Sequence, residues 1–411
     1  MADGFHVDIG PQYEGEVIRK ENCLVELGGP KAKYKFELVT VKSPDEVEHE
    51  KVTIIGPDIS EVPEGTTLCC GLVIDIAGAA LEKDMEPVIE RRLHMYSNYI
   101  EGLYHMNQRN DVWMRISKDA FKKGMTSLKE IGDIFVMLFT SELMVIEKIS
   151  ITWITDEAKV KEGLGHAMEV YKARDARLKG MKEEDVEEFY SCALCQSFAP
   201  THICAVTPER IANCGAISWF DGRAAYKLDP EGPVQSVPKG ELIDAARAEY
   251  SGVNQLAVEK SLGAYTRVYL HSAFEYPHTS CGCFQAICFY IPEVDAFGIV
   301  HRDFVGDTVV GKRFTTMAAD ASGGRQVEGM LGLALEYLKS PKFLIADGGL
   351  ARVVWMPKDI KERYKEAIET RLPGLYDMIA TEDDAKNPDE LVQFLEAKGH
   401  PWPKGEVELP I

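Results

Sequence analysis

The stretch FYSCALCQSFAPTHICAVTPERIANC, residues 189–214, carries four cysteines in the pattern C-x2-C-x8-C-x9-C: Cys192, Cys195, Cys204 and Cys214. A second stretch, TSCGCF at 279–284, adds Cys281 and Cys283 around Gly282. Four thiolates from one connected stretch suit a cubane iron–sulfur cluster, because each iron takes one terminal cysteine. A zinc ribbon usually pairs two C-x2-C knuckles across a loop. Here only the first pair has knuckle spacing. The two later cysteines stand apart and must reach round a larger object than a single ion. The spacing favours a cluster, with zinc as the alternative and unrelated core thiols as the bland one.

The Cys-Gly-Cys triplet has its own physics. Residues i and i+2 of a turning chain can direct their thiols at one centre, with the amides of Gly282 and Cys283 between them. If both amides lose their protons, two sulfurs and two nitrogens form a square. Square-planar coordination suits Ni(II) or Cu(II), and the thiolates argue against keeping Cu(II). Glycine between the ligands relieves crowding and widens the accessible backbone angles. Alone, the triplet reads as a small-residue turn with two buried thiols. Beside a four-cysteine cluster motif the metal reading prevails. A cluster and a nickel site on one chain point to organometallic redox chemistry.

Composition sets limits. The length of 411 residues suggests two or three domains, and 45% hydrophobic content is that of a globular protein. The first residues lack the basic and apolar regions of a secretory leader. The most apolar stretch, 134–146, is interrupted by Glu142 and is too short to span a membrane. Ten cysteines without a leader indicate a reducing, cytoplasmic interior and metal binding rather than disulfides. Cys23, Cys69, Cys70 and Cys288 are read as core residues. The net charge of −20 repels nucleic acid and anionic membranes.

The pattern along the chain is mixed α/β (α+β), with mixed sheets flanked by helices. Strands are expected at 51–58, 72–78, 112–117 and 149–155, and a long helix at 83–107 with Pro87 in its first turns. Helical periodicity runs from Glu157 to Met181 and ends in the charged, linker-like KGMKEEDVEE at 179–188. This places a domain boundary near residue 180, giving domains 1–180 and 181–411. Further strands are expected at TRVYLHSAF (266–274) and QAICFYI (285–291). The pair Gly323-Gly324 is read as preceding a helix. The tail from Thr381 is read as a capped amphipathic helix. Among ten histidines no HxxxH or HExxH pair occurs. His202, inside the cysteine loop, is the one worth testing, and is read first as a hydrogen-bonded neighbour of sulfur.

These residues carry a resemblance. The cysteine spacing, the flanking PHTSCGCFQAI (277–287) and FLIADGGLARVVWMPK (343–358), and upstream YEGEVIRKENCLVELGGPK (13–31) and MNQRNDVWMRISKDA (106–120) resemble the acetyl-CoA synthase catalytic subunit family, also called the acetyl-CoA decarbonylase/synthase beta subunits. The similarity covers nearly the whole chain. It implies a site called the A-cluster, in which Cys192, Cys195, Cys204 and Cys214 hold a 4Fe–4S cubane. It implies that Cys195 bridges the cubane to a proximal nickel, and that Cys281 and Cys283 bridge that nickel to a distal one. The amides of Gly282 and Cys283 complete the distal square, and Phe198 limits access to the proximal nickel.

The implied reaction joins carbon monoxide, a corrinoid-bound methyl group and coenzyme A into acetyl-CoA, or reverses that. The implied partners are a corrinoid iron–sulfur protein, carbon monoxide dehydrogenase and a ferredoxin-type reductant. Long bacterial members carry an extra N-terminal domain that docks the dehydrogenase. This chain starts where their second domain does and so looks like the short form. An acidic chain needs a local basic patch for coenzyme A. The candidates are Arg109, Trp113 and Arg115, with Arg91, Arg92 and Lys118 nearby. The metal cluster is expected on loops near the domain junction, with 179–188 as hinge. Two other readings stay open: an iron–sulfur electron-transfer or redox-sensing protein without nickel, and a zinc-bearing scaffold.

Overall fold

Two four-stranded mixed sheets organise the N-terminal part of the chain. The computed structural model describes residues 7, 18–105, 110, 112–197 and 199–401. The chain divides into two compact units, Met1–Lys179 and Gly180–Ile411. In the first unit one sheet runs Lys35–Val41, Cys70–Ala77, Lys148–Ile154, Lys51–Ile55, with the middle pair antiparallel and both outer pairs parallel. The strand Lys148–Ile154 shows the period of two: Ile149, Ile151 and Trp153 are fully buried and alternate with half-buried neighbours. The other sheet orders Thr66–Leu68, Cys23–Gly28, Trp113–Ser117, Leu103–His105. The helix Leu128–Glu142 starts at a capping box of Ser127 and Glu130.

The edge of the first sheet is closed in an unusual way. Lys35–Val41 is an edge strand, which leaves backbone N–H groups to satisfy. Glu86 and Glu90, one turn apart on the helix Glu86–Ser97, accept from Val41 N at 2.9 Å and Val39 N at 3.0 Å. Arg174 of the helix Glu157–Ala176 pairs with both carboxylates, at 3.2 and 3.1 Å, and donates to Val39 O. Burial, opposed by Arg174 and aided by Glu37, pushes the Glu90 carboxyl up to about 7.

Among the described residues, three sheets build the second unit. Its main sheet orders Met330–Leu333, Ala286–Ile291, Ala296–His301, Val353–Trp355. The two central strands form a hairpin whose turn places Asp295 in the left-handed region. Cys288, Phe297 and Ile299 pack into one core, and Phe284, Ile287 and Phe289 into another. A smaller antiparallel sheet orders Ala205–Val206, Glu188–Cys192, Val234–Pro238. The helix Pro388–Lys398 is capped by Asn387, has Pro388 in its first turn, ends at Gly399, and buries Leu391 and Leu395. Among the described residues no helix is long and apolar enough to cross a membrane.

The architecture is the expected mixed α/β, but four local readings change. The helix expected at 83–107 stops at Ser97. Asn98 then exchanges hydrogen bonds with the His105 backbone, and the chain turns through Gly102 into a strand. TRVYLHSAF forms only one bridge, Tyr269 to Pro277, because its side chains are committed to buried polar contacts: His271 to Glu183, and Ser272 to Asp347. Gly323-Gly324 follows the helix Phe314–Ala321 and leads into a strand rather than a helix. The linker-like segment is anchored from Glu183 onward. Glu183 is fully buried, accepts from Thr207 Oγ1 at 2.6 Å, and pairs with His271 at 3.0 Å and Lys342 at 3.2 Å. Against burial, which raises it, those partners hold its carboxyl down to about 2.

Glu90 generates a pH dependence. Below about pH 4.5 it is protonated folded and unfolded alike. Between there and its raised folded value near 7, the unfolded chain releases a proton that the folded chain keeps. Stability is therefore lost as pH rises through that window, by about 3 kcal/mol. We expect Glu90→Gln to flatten the fall in denaturant midpoint between pH 5 and 7. An unchanged slope in the variant would assign the proton elsewhere.

Candidate metal centre

The cysteines sit on loops fixed by strand ends. Cys192 closes the strand Glu188–Cys192, and Cys204 immediately precedes the partner strand Ala205–Val206. The Cys192 N–H donates to Cys204 O at 3.3 Å, so these two are held across the ladder. Cys195 rides on the short turn Leu194–Ser197, and its carbonyl accepts from Ala199 N. Cys214 lies in a turn stitched to the second loop: Asn213 donates through Nδ2 to Thr279 O at 3.1 Å, and Asn213 O accepts from Gln285 N at 3.2 Å.

Cys281 and Cys283 lie just before the central strand Ala286–Ile291. Gly282 between them has φ of +129°, which L side chains rarely adopt, while a Cβ there would meet only Ser322 Cβ at 3.6 Å, an ordinary contact. Backbone conformation, not crowding, therefore requires glycine here. The turn brings the Cys283 N–H to within 3.3 Å of Cys281 Sγ. It is held from two sides. Gly323 N donates to Cys281 O and Gly324 N to Ser280 O. Arg302 donates to the carbonyls of Cys283 and Phe284 at 2.8 and 2.5 Å. A Cβ on Gly324, itself at φ +71°, would stand 2.7 Å from His202 N, so this glycine also seats the cysteine loop.

Three sulfurs meet. Cys281 and Cys283 Sγ are 2.7 Å apart, and Cys195 and Cys283 Sγ 3.3 Å. Both separations exceed the ~2.05 Å of a disulfide. All three ligand atoms lie within 4.8 Å of one another. One cavity is lined by all six motif cysteines together with His202, Ala212, Asn213 and Ile217. His202 is buried, and its Nδ1 lies 2.9 Å from Thr279 Oγ1. That hydroxyl donates to Ile203 O, so it accepts from His202 Nδ1–H, and the ring lines the same cavity as Cys281.

Sulfurs this close cannot all ionise unaided. Hydrogen bonds from Cys195 and Cys283 draw the Cys281 thiol far down. The contact with Cys281 in turn pushes the Cys195 thiol up to about 12. Burial, then Cys192 and Cys214, raises Cys204 well above its ordinary value. The adjacent sulfurs thus share charge as a unit. Cations reverse this, because a coordinating thiol is deprotonated outright. The soft donor set fits thiophilic metals and no hard cation.

The other expected residues are Phe198, Arg109, Trp113 and Arg115. Phe198 and Arg109 lie outside the described residues. Trp113 and Arg115 share one face of the strand Trp113–Ser117, with the guanidinium 5.9 Å from the indole. Arg115 also pairs with Glu26 at 2.8 Å, and Lys118 pairs with Glu64. Arg302, Asn213 and Thr279 were not singled out from the sequence, and Gly323-Gly324 was read only as preceding a helix. Their roles arise from backbone groups of distant loops, which leave no motif.

Comparison with known proteins shows the family. Residues 171–406 match the C-terminal family of the ACS/CODH beta subunits, and residues 5–160 match the beta-subunit family of the CO dehydrogenase/acetyl-CoA synthase complex. The acetyl-CoA decarbonylase/synthase complex subunit beta 2 of Methanocaldococcus jannaschii is 52% identical over 98% of this chain and 84% of its own length. The corresponding beta subunits of Archaeoglobus fulgidus and Methanopyrus kandleri are 53% and 51% identical, each over 98% of this chain and over 76% and 86% of their own lengths. The chain is therefore an enzyme of the acetyl-CoA decarbonylase/synthase beta-subunit family.

Proposed function

We propose that this chain synthesises acetyl-CoA, or cleaves it, from carbon monoxide, a corrinoid-bound methyl group and coenzyme A. The observation that carries the reading is the meeting of Cys195, Cys281 and Cys283 sulfurs in one cavity with Cys192, Cys204 and Cys214. Cys192, Cys195, Cys204 and Cys214 would hold a 4Fe–4S cubane. Cys195, Cys281 and Cys283 would hold a proximal nickel. Cys281, Cys283 and the amides of Gly282 and Cys283 would hold a distal one. When bound, these metals supply the centre at which a carbonyl and a methyl group join and pass to a thiol.

The chain's own residues do the rest. Gly282 gives the backbone the conformation that brings both thiols and the Cys283 amide together. Arg302 and the Gly323-Gly324 pair fix the carbonyls of that turn, so its donors stay aimed. Cys195, Cys281 and Cys283 would each serve two of these metal positions. Phe198 would limit access to the proximal position, and Arg109, Trp113 and Arg115 would contact coenzyme A. The methyl donor would be a corrinoid iron–sulfur protein, the source of carbon monoxide a carbon monoxide dehydrogenase, and the setting the cytoplasm. The nickel-free electron-transfer reading has no use for a glycine turn that points two thiols and an amide together.

The test is Cys283→Ser. We expect the variant to keep its cubane absorption and iron, and to lose nickel and acetyl-CoA synthesis, because a hard oxygen replaces a soft thiolate. Normal nickel binding with full activity would sink the dinuclear assignment. For Phe198→Ala we expect altered carbon monoxide inhibition at unchanged metal content. Unaltered titration curves with lowered thermal stability would make it a packing residue.

A further inference from the structure

Away from the cysteines, the first unit buries a second cluster of metal-binding side chains. Glu37 comes from the strand Lys35–Val41, His94 from the helix Glu86–Ser97, and His105 from the strand Leu103–His105. Their ligand atoms lie within 4.8 Å of one another. Glu37 Oε1 is 2.7 Å from His94 Nε2, and Glu37 Oε2 is 3.9 Å from His105 Nε2. The two imidazoles lie face to face, centroids 4.1 Å apart and 31° between planes. The Glu37 and His105 side chains are fully buried, and His94 is 15% exposed.

An ordinary hydrogen-bonded pair leaves two facts unexplained. The first is geometric. Glu37 Oε2 is buried and accepts no hydrogen bond among the described residues. A separation of 3.9 Å from His105 is too long for one. An orphaned buried carboxylate oxygen costs about 1–3 kcal/mol or more. Ligand atoms about 2.0–2.2 Å from a tetrahedral ion stand about 3.4 Å apart. The observed 2.7 and 3.9 Å bracket that value, so a small ring rotation would meet it.

The second fact is charge. Glu86, Glu90 and Glu37 are all buried within this part of the unit. Arg174 pairs with Glu86 and Glu90, while Glu37 faces the two imidazoles. A buried carboxylate is costly unless a positive charge or a full set of hydrogen bonds answers it. The helix stripe explains the placement: Glu86, Glu90 and His94 follow one another at intervals of four, so the face that closes the sheet edge also delivers His94 to Glu37.

We propose that Glu37, His94 and His105 bind one first-row divalent cation, with zinc(II) the best match to two imidazoles and one carboxylate. The ion supplies the missing partner of Glu37 Oε2 and places a positive charge beside it. Water completes its coordination from the His94 side, where the cluster reaches solvent. Such an ion ties an edge strand, the covering helix and the strand Leu103–His105 into one unit. The site has no sulfur ligand and stands independently of the function proposed for the cysteines.

Cobalt(II) distinguishes the two donor sets. Full-length protein with its thiolate centre already loaded, and loosely held metal removed, is titrated anaerobically. We expect about one cobalt per chain with ligand-field bands and no sulfur-to-cobalt charge transfer. We expect His94→Gln and His105→Gln each to weaken that binding by more than about tenfold, and zinc to raise the melting temperature of the wild type but not of the variants. His94 is partly exposed, so its variant keeps the test open if the His105 variant fails to fold. Cobalt appearing only with sulfur bands, or binding equally to His94→Gln, overturns the site and leaves a histidine–carboxylate contact.

Discussion

Mutual repulsion among crowded thiolates is the constraint on which the second unit turns. Cys195, Cys281 and Cys283 present sulfurs 2.7 and 3.3 Å apart, a spacing that adjacent anions do not tolerate without cations between them. The fold nevertheless invests much in holding that spacing. Gly282 takes a backbone conformation closed to other residues, Arg302 and two glycine amides fasten the turn, and Asn213 ties the first loop to the second. Such scaffolding is what a preformed seat for soft metals requires.

The first unit meets the same problem with harder atoms. Glu86 and Glu90 close a sheet edge that would otherwise present bare N–H groups, and Arg174 answers them. The stripe that does this carries His94 to Glu37. Oxygen and nitrogen donors there, and sulfur donors in the second unit, divide the chain's metal chemistry by softness.

Much of this was legible in the sequence. The strands at 51–58, 72–78, 112–117 and 149–155 announced themselves by alternation and appear as Lys51–Ile55, Cys70–Ala77, Trp113–Ser117 and Lys148–Ile154. The cysteine spacing named the six residues that line one cavity. What escaped was set by contacts between distant segments. TRVYLHSAF has the composition of a strand, but its polar groups serve buried partners near residues 183 and 347. KGMKEEDVEE has the composition of a linker, but Glu183 is drawn into the core by His271 and Lys342. Gly323-Gly324 looked like a helix start, because nothing local shows that its amides are claimed by Ser280 and Cys281. Glu37, His94 and His105 share no motif, since they come from three separate elements.

Metal content of the purified chain tests the central claim most directly. After anaerobic reconstitution with iron, sulfide and nickel under reducing conditions, the account requires about four irons and about two nickels per chain. Iron at that level with nickel absent would contradict it and leave a cluster protein whose Cys281-Gly282-Cys283 turn binds nothing.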